Sequence, residues 1–418
     1  MGFALSPSAQ PGSRPDRPVA RRHLAVAVAI AGVMIATTAV AWRYVVHQPL
    51  HPLIDLDVYK HAGRDVLAGR FGYHSGGDDL VFTYPPFAAL VAVLTAPFGQ
   101  WWGQFLWTVG SILALVGVVW LSFRRAIEAV GADLRPLVLG GACVLAVLSR
   151  PFAEHVAMGQ VNVFMVLLCL VDLCAIRRRW PQGTLIGVAS ALKLTPAVFI
   201  VYLAVTGRLR AAGNALAAFA VCTGLAFVVL PAASIGYWSD AVFRGERVTG
   251  SLAYTSNQSV LGAVSRMVPA HARAAVWLVV SVAIVVIGLR RAREAYRAGD
   301  ELGGAAVTAA LGLLVSPISW LHHFVWLLPM VGALVADGRD RARDAWAAVV
   351  SLLLLLPLGW WGWALLDDGN HAVRAAGVLA HNALTLITIG LVVGYRPPAS
   401  HAVASASVSR GTSAEVAG

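Results

Sequence analysis

From Leu24 to Val393 the chain alternates apolar runs with short polar connectors. A bilayer core about 30 Å thick needs roughly 20 apolar residues of helix to cross it. The pattern predicts about ten full spans, at 24–42, 101–121, 137–149, 161–176, 212–230, 273–289, 304–315, 321–335, 345–365 and 373–393. Two further runs do not fit as single crossings. Residues 86–98 follow Tyr84-Pro85-Pro86, and residues 185–205 are interrupted at Lys193-Leu194-Thr195-Pro196. The first reads as a short re-entrant piece and the second as a broken hairpin. Non-helical backbone at membrane depth persists only where protein or a water-filled cavity surrounds it, so both predict an internal cavity.

The arginines orient these elements. They cluster at Arg124-Arg125 to Arg135, Arg177 to Arg179, Arg208 to Arg210, Arg290 to Arg297, Arg339 to Arg343 and from Arg396 onward. The positive-inside rule places all of these loops in the cytoplasm. If each of the two irregular runs crossed once, that alternation would fail. The expected fold is an all-α polytopic membrane protein, with about 10–13 transmembrane helices including short re-entrant pieces. Residues 1–22 form a disordered cytoplasmic start and 396–418 a disordered cytoplasmic tail, flanking a single transmembrane domain over 23–395. The first run exceeds the usual length of a signal-peptide core and is read as a retained span. The outer loops are then 43–85, 150–160, 231–272, 316–320 and 367–372. These hold most of the unusual polar residues, so any chemistry is expected outside the cytoplasm.

Composition agrees with that picture. The 418 residues are 58% hydrophobic and 13% charged, with mean hydropathy +0.71, where a soluble domain carries roughly 25% charge. The net charge of +11 lies in orienting loops, so no nucleic-acid partner is expected. Cys143, Cys169, Cys174 and Cys222 fall inside apolar runs and read as small core residues.

Six polar stretches stand out. Asp55-Leu56-Asp57-Val58-Tyr59 opens a helical pattern in the first outer loop, lying on the membrane surface. Asp55 and Asp57 are two apart and face different sides of that helix. The plain alternative is a pair of solvated acids that suits the helix dipole. Ser75-Gly76-Gly77-Asp78-Asp79 reads as a flexible turn. Gln160 and Asn162 sit at the mouth of a span, suited either to substrate hydroxyls or to interhelical bonds. Lys193 lies in the broken hairpin, where an ammonium either faces a cavity or reaches an interface. Asn257-Gln258-Ser259, with Arg244, Arg247 and Arg266, could hold an anionic head group or phosphate. Trp320-Leu321-His322-His323 follows an outer turn. Adjacent histidines share no helical face, so a zinc pair is not expected; a phosphate ligand or acid/base is.

Asp55-Leu56-Asp57-Val58-Tyr59, Thr83-Tyr84-Pro85-Pro86, Gly159-Gln160-Val161-Asn162, Lys193-Leu194-Thr195-Pro196, Asn257-Gln258-Ser259 and Ser316-Pro317-Ile318-Ser319-Trp320 through His323 together form an ordered set. In this order they resemble the actinobacterial α-1,2-mannosyltransferases of glycosyltransferase family 87, which have the GT-C fold. Within the family they are most similar to the members acting on phosphatidylinositol mannosides. The resemblance covers about Asp55 to His323. It implies a polyprenol-phosphate-mannose donor, a mannosylated glycolipid acceptor and chemistry on the periplasmic face of the plasma membrane. Its acid maps to Asp55, with Asp57 the rival, and its histidine to His322, with His323 the rival. Asp55 and His322 are then the catalytic residues. Asp57, Tyr59, Tyr84, Gln160, Asn162, Lys193, Asn257, Gln258, Trp320 and His323 are expected at the substrate. No cofactor and no obligatory metal are expected. Transfer of another sugar such as arabinose, or a lipid or small-molecule transporter built from the same broken helices, are the competing readings.

Overall fold

A computed structural model of the chain describes residues 17–47, 53–73, 81–175, 178–243 and 251–398. The turn expected at 75–79, Arg244, Arg247 and most of the two terminal segments lie outside the described residues. Helix begins at Arg17, inside the stretch expected to be disordered.

The first half of the chain forms α1 (Arg17–His47), α2 (Ile54–Leu67), α3 (Pro86–Ala92), α4 (Gln100–Ala129), α5 (Arg135–Leu148), α6 (Arg150–Met158), α7 (Asn162–Cys174), α8 (Thr184–Leu192) and α9 (Val198–Val205). The second half adds α10 (Leu209–Val229), α11 (Pro231–Ser239), α12 (Val260–Met267), α13 (Ala270–Arg297), α14 (Glu301–Val315) and α15 (Leu328–Val335). It closes with α16 (Arg341–Leu355), α17 (Leu358–Ala364), α18 (His371–His381) and α19 (Ala383–Gly394). Among the described residues there is no strand.

The ten expected spans all fall on helix, but they are not ten straight crossings. Four helices are long and apolar enough to cross a membrane: α1 within Arg21–Val40, α4, α10 and α13. Three more arise only if bent pairs count as one: α5 with α6 (68°), α16 with α17 (59°) and α18 with α19 (61°). The expected single spans 345–365 and 373–393 are therefore each broken. Pro357 ends α16, lacking the N–H that a continuing helix needs. Helices α7 and α14 are shorter than a bilayer core is thick. α14 survives at this length because it is buried along nearly all its residues and ends in polar groups on both sides.

Those two ends differ. At one, Arg125 pairs with Asp300 at 3.4 Å and Tyr395 donates to the same carboxylate at 2.6 Å. Arg208 pairs with Glu301 at 3.0 Å, and Arg343 donates to the Leu334 carbonyl at 3.2 Å. At the opposite end lie α2, α3, α6 and the turn 316–320. Small residues let the helices between these ends approach closely, as apolar surface alone gives no drive to associate in lipid. Gly187 shows this: a Cβ there would lie 2.2 Å from the Ala215 carbonyl oxygen of α10.

The interrupted run is a hairpin, as its pattern predicts. Gly183, just before α8, abuts Ala211 and Ala215 near the start of α10. α9 comes back to end at Val205, just before α10 begins. α8 thus leaves the arginine end and α9 returns to it, with Lys193 at the tip. Pro196 forces the break, since its ring clashes with the carbonyl four residues earlier. Lys193 itself is extended (φ −151°, ψ 132°).

Candidate active site

A cavity of about 960 Å³ opens at the end away from the arginines. Asp55, Tyr84, Gln160, Lys193, Trp320, His322 and His323 all line it. They come from five separate segments. Val198, Val201, Val285, Leu289 and Leu311 extend its wall downward as an apolar slope between α9, α13 and α14.

Each polar side chain is held there by local structure. Asp55 lies in the first turn of α2, whose Leu56, Tyr59, Ala62 and Gly63 are buried. That buried stripe packs on α3, and Gly63 sits directly against the Ala92 backbone. Leu53, just before α2, takes the left-handed conformation (φ 58°) rare for a side-chain-bearing residue. Its N–H donates to the Ala157 carbonyl at 2.8 Å, which ties α2 to α6.

Gln160 is placed by the end of α6. Gly159 is left-handed (φ 73°), its N–H donates to Val156 O, and Gln160 N donates to His155 O. That paired closure needs a residue free to adopt positive φ. Gly159 also has no room for a side chain: a Cβ would meet Leu56 Cβ at 2.9 Å and Leu53 Cβ at 3.0 Å. Gly159→Ala is therefore expected to displace the start of α2 and with it Asp55. A misplacement of about 1 Å is worth up to ~10²-fold in rate. A full-length variant with wild-type turnover would show that this contact does not position Asp55.

The amides connect the site. Gln160 Nε2 donates to Asp55 Oδ2 at 2.7 Å, and its Oε1 accepts from Tyr84 OH at 3.0 Å. Tyr59 OH is 2.9 Å from Tyr84 OH. Burial pushes both phenols up, so both stay protonated and the chain Tyr59–Tyr84–Gln160–Asp55 has a donor at every step. Burial also raises Asp55, against the charge of His322, the Gln160 hydrogen bond and Lys193. Lys193 Nζ donates to Asn162 Oδ1 at 2.7 Å and lies 3.2 Å from His323 Nε2. An ammonium has no acceptor capacity, so that ring nitrogen is the acceptor. Among the described residues Lys193 forms no ion pair.

His322 and His323 occupy the first turn of a 3₁₀ helix, Leu321–Leu327. Such runs are seldom longer than three or four residues and mark strained or functional segments. The tight turn splays the two rings, which meet edge to face at 4.8 Å. His323 faces Lys193, while His322 Nδ1 lies 3.7 Å from Glu154 Oε2.

The remaining expected residues sit elsewhere. Asp57 faces away and lies 3.8 Å from Lys60. Tyr59 is buried behind Tyr84. Asn162 lies beneath the site, between Lys193 and Gln160. Asn257 and Gln258 do not line the cavity. Asn257 Oδ1 accepts from Ser319 N at 3.0 Å, and Gln258 N donates to Ser319 O at 2.8 Å. They shape the 316–320 turn, and so reach the site only through the backbone that carries Trp320. Arg266 donates to the Asn257 carbonyl at 2.8 Å and serves the same scaffold.

Cavity residues not singled out by sequence include Glu154, Tyr254 and Trp360. Glu154 falls in an outer loop whose helix, α6, the hydropathy pattern does not announce. Tyr254 stands between Trp320 and Trp360 in an aromatic wall, with centroid distances of 6.0 Å for Tyr254–Trp320 and 5.9 Å for Tyr254–Trp360. Their apolar faces suit the C–H faces of a sugar or a lipid. No sequence spacing links positions so far apart.

Residues 82–317 match Glycosyltransferase family 87. Asp55 and the two histidines lie just outside that span. The chain is 36% identical over 349 residues to the polyprenol-phosphate-mannose-dependent alpha-(1-2)-phosphatidylinositol mannoside mannosyltransferase of Mycobacterium tuberculosis, covering 78% of this chain and 79% of the relative. It is 32% identical over 398 residues to the polyprenol-phosphate-mannose-dependent alpha-(1-2)-phosphatidylinositol pentamannoside mannosyltransferase of Mycolicibacterium smegmatis, covering 91% and 94%. No solved structure matches it. A polytopic helical fold, one polar cavity at the end away from the arginines and these likenesses agree: the chain belongs to glycosyltransferase family 87 and is a membrane glycosyltransferase.

Proposed function

We propose that this chain transfers mannose from a polyprenol-phosphate-mannose donor to a phosphatidylinositol mannoside or related mannosylated glycolipid, forming an α-1,2 linkage by direct displacement with inversion. The observation that carries the reading is one cavity holding both a carboxylate, Asp55, and a cation, Lys193, that forms no ion pair among the described residues, above an apolar slope. Asp55 takes the acceptor's hydroxyl proton as that oxygen bonds to the anomeric carbon. The bond from that carbon to the phosphate oxygen breaks with its electron pair on the phosphate. Lys193 and His322 Nε2 stabilise the charge gathered there. Oδ2 of Asp55 is held by Gln160, which leaves Oδ1 for the incoming hydroxyl. The apolar slope suits an isoprenoid chain or acyl chains. Phosphate is a competent leaving group, so no general acid is required.

The active site faces the periplasm in this reading. The arginines gather at the opposite end, as the positive-inside rule requires of a cytoplasmic face. Trp101, Trp102, Trp361 and Trp363 are exposed on elements at the cavity end, where indoles favour the head-group level.

The test is incubation of the purified chain with polyprenol-phosphate-mannose and a phosphatidylinositol mannoside, followed by linkage analysis of the product. Transfer from a polyprenol-phosphate arabinose or glucose but not from the mannose donor would overturn the assignment of the sugar. For orientation, Asp367→Cys should react with a membrane-impermeant thiol reagent in intact cells and Arg339→Cys should not. Both positions are exposed. The reverse labelling pattern would move the site to the cytoplasm.

A further inference from the structure

Glu154 has no role in the reaction as drawn, yet it lines the same cavity. Its carboxylate Oε2 is buried and has no hydrogen-bond partner among the described residues. The polar atom it faces is His322 Nδ1, 3.7 Å away. His322 is only 7% exposed, and its other ring nitrogen, Nε2, is also buried without a partner among the described residues. A buried carboxylate oxygen left unpaired is unfavourable for folding, which makes a purely structural purpose a poor account of it. The other titratable groups facing His322 are Asp55 from α2, His155 from α6, and Lys193 and His323 beside it. His155 offers no hydrogen bond to anything, both its nitrogens being unpartnered among the described residues. Lys193 and His323 bond each other, and Asp55 is held by Gln160. Glu154 is therefore the group placed to fix the His322 ring.

We propose that Glu154 is the positioning residue for His322: it accepts a hydrogen bond from Nδ1–H and balances the charge of the doubly protonated ring, whose Nε2–H then meets the phosphate of the donor. The inference rests on the function proposed above. A neutral imidazole carries one ring proton, and the partner of one nitrogen decides what the other can do. With Nδ1–H committed to a carboxylate, Nε2 acts as a donor to an anion only when it too is protonated, and the carboxylate balances the imidazolium charge that results. The present separation is in ion-pair range but beyond a hydrogen bond. Such contacts are often long in the empty site and tighten when the substrate arrives. No bond of the substrate is made or broken by Glu154.

The experiment is a double-mutant cycle on the full chain, reading kcat and KM for sugar transfer. Glu154→Gln keeps the shape but removes the negative charge that balances a doubly protonated ring, so Nε2–H meets the phosphate without the ring's positive charge. It should lower kcat by about tenfold or more, with Glu154→Asp recovering part of the loss. In a His322→Ala background the same change should lower kcat less than about twofold, because a group acting through the ring has nothing left to act on. Full, additive losses in both backgrounds would overturn the inference, as would wild-type kcat in Glu154→Gln. The two hypotheses fail separately. An active wild-type chain with an additive cycle sinks only the role of Glu154. A wild-type chain that transfers no sugar sinks the reading beneath it.

Discussion

Asp55→Asn should lose mannose transfer by about 10²–10⁴-fold, the usual worth of a general base. An amide of the same shape still accepts the Gln160 hydrogen bond, so the site keeps its geometry, but its oxygen is too weak a base to take the hydroxyl proton. Donor binding should persist, since phosphate and lipid chain are gripped by other residues. Asp57→Asn should change the rate little, because Asp57 lies outside the cavity and beside Lys60. Transfer assays at matched protein level, with donor binding measured in parallel, decide it. Near wild-type turnover in Asp55→Asn would remove Asp55 as the base. The pH profile adds a second check. Burial raises Asp55 above its ordinary range, so the carboxylate form, and the rate, should rise with pH through a value above that of an ordinary aspartate. Gln160→Leu deletes a hydrogen bond that favours the charged form and should move that limb to still higher pH. The sign for stability is opposite. A raised folded value means the protonated form contributes stability below the ordinary carboxylate range, which is lost as pH climbs through the raised value. Asp55→Asn should therefore be at least as resistant to unfolding as wild type at neutral pH, while nearly inactive.

Lys193→Met should be the next most damaging change. Its ammonium donates to Asn162 and His323, both neutral partners, and sits 5.2 Å from the Tyr84 ring centroid. A cation kept at the tip of a membrane hairpin with no counter-charge in contact is expensive and marks a functional site. Removing one pre-arranged donor to a developing oxyanion typically costs about 10²–10³-fold in kcat. The apolar stem of methionine preserves packing, so the protein should extract and elute as wild type does. Lys193→Arg should recover little, since a planar guanidinium cannot reproduce the point contact with Asn162 Oδ1. If Lys193→Met retains turnover but loses yield on extraction, the lysine is a structural bridge and another cation meets the phosphate.

Much of this architecture is legible along the chain, because membrane helices report themselves locally. The apolar runs locate every helical span. The break at Pro196 and the arginine loops predict the hairpin carrying Lys193, and helix α2 follows from its spacing of Leu56, Tyr59 and Gly63. Where hydropathy misleads is in straightness. A run of apolar residues looks the same whether one helix or two bent ones occupy it, so the breaks after Leu355 and His381 are invisible to it.

The site divides in the same way. Sequence alone picks out Asp55, Gln160, Lys193 and the His322-His323 pair as unusual polar residues in or beside apolar runs, adds Tyr84 through the ordered family motifs, and opposes Asp55 to Asp57 by helical periodicity. Only the tertiary structure decides that Asn257 spends its amide on the 316–320 turn and Gln258 its own on His381 and Thr385, that His323 belongs to Lys193, and that Glu154 meets His322. These are relations between segments far apart in the chain, fixed by close approaches such as Gly159 on Leu56 and Gly187 on Ala215. Periodicity constrains neighbours within one helix. Which side chains of different helices share a cavity depends on how the helices pack, and no local pattern encodes that.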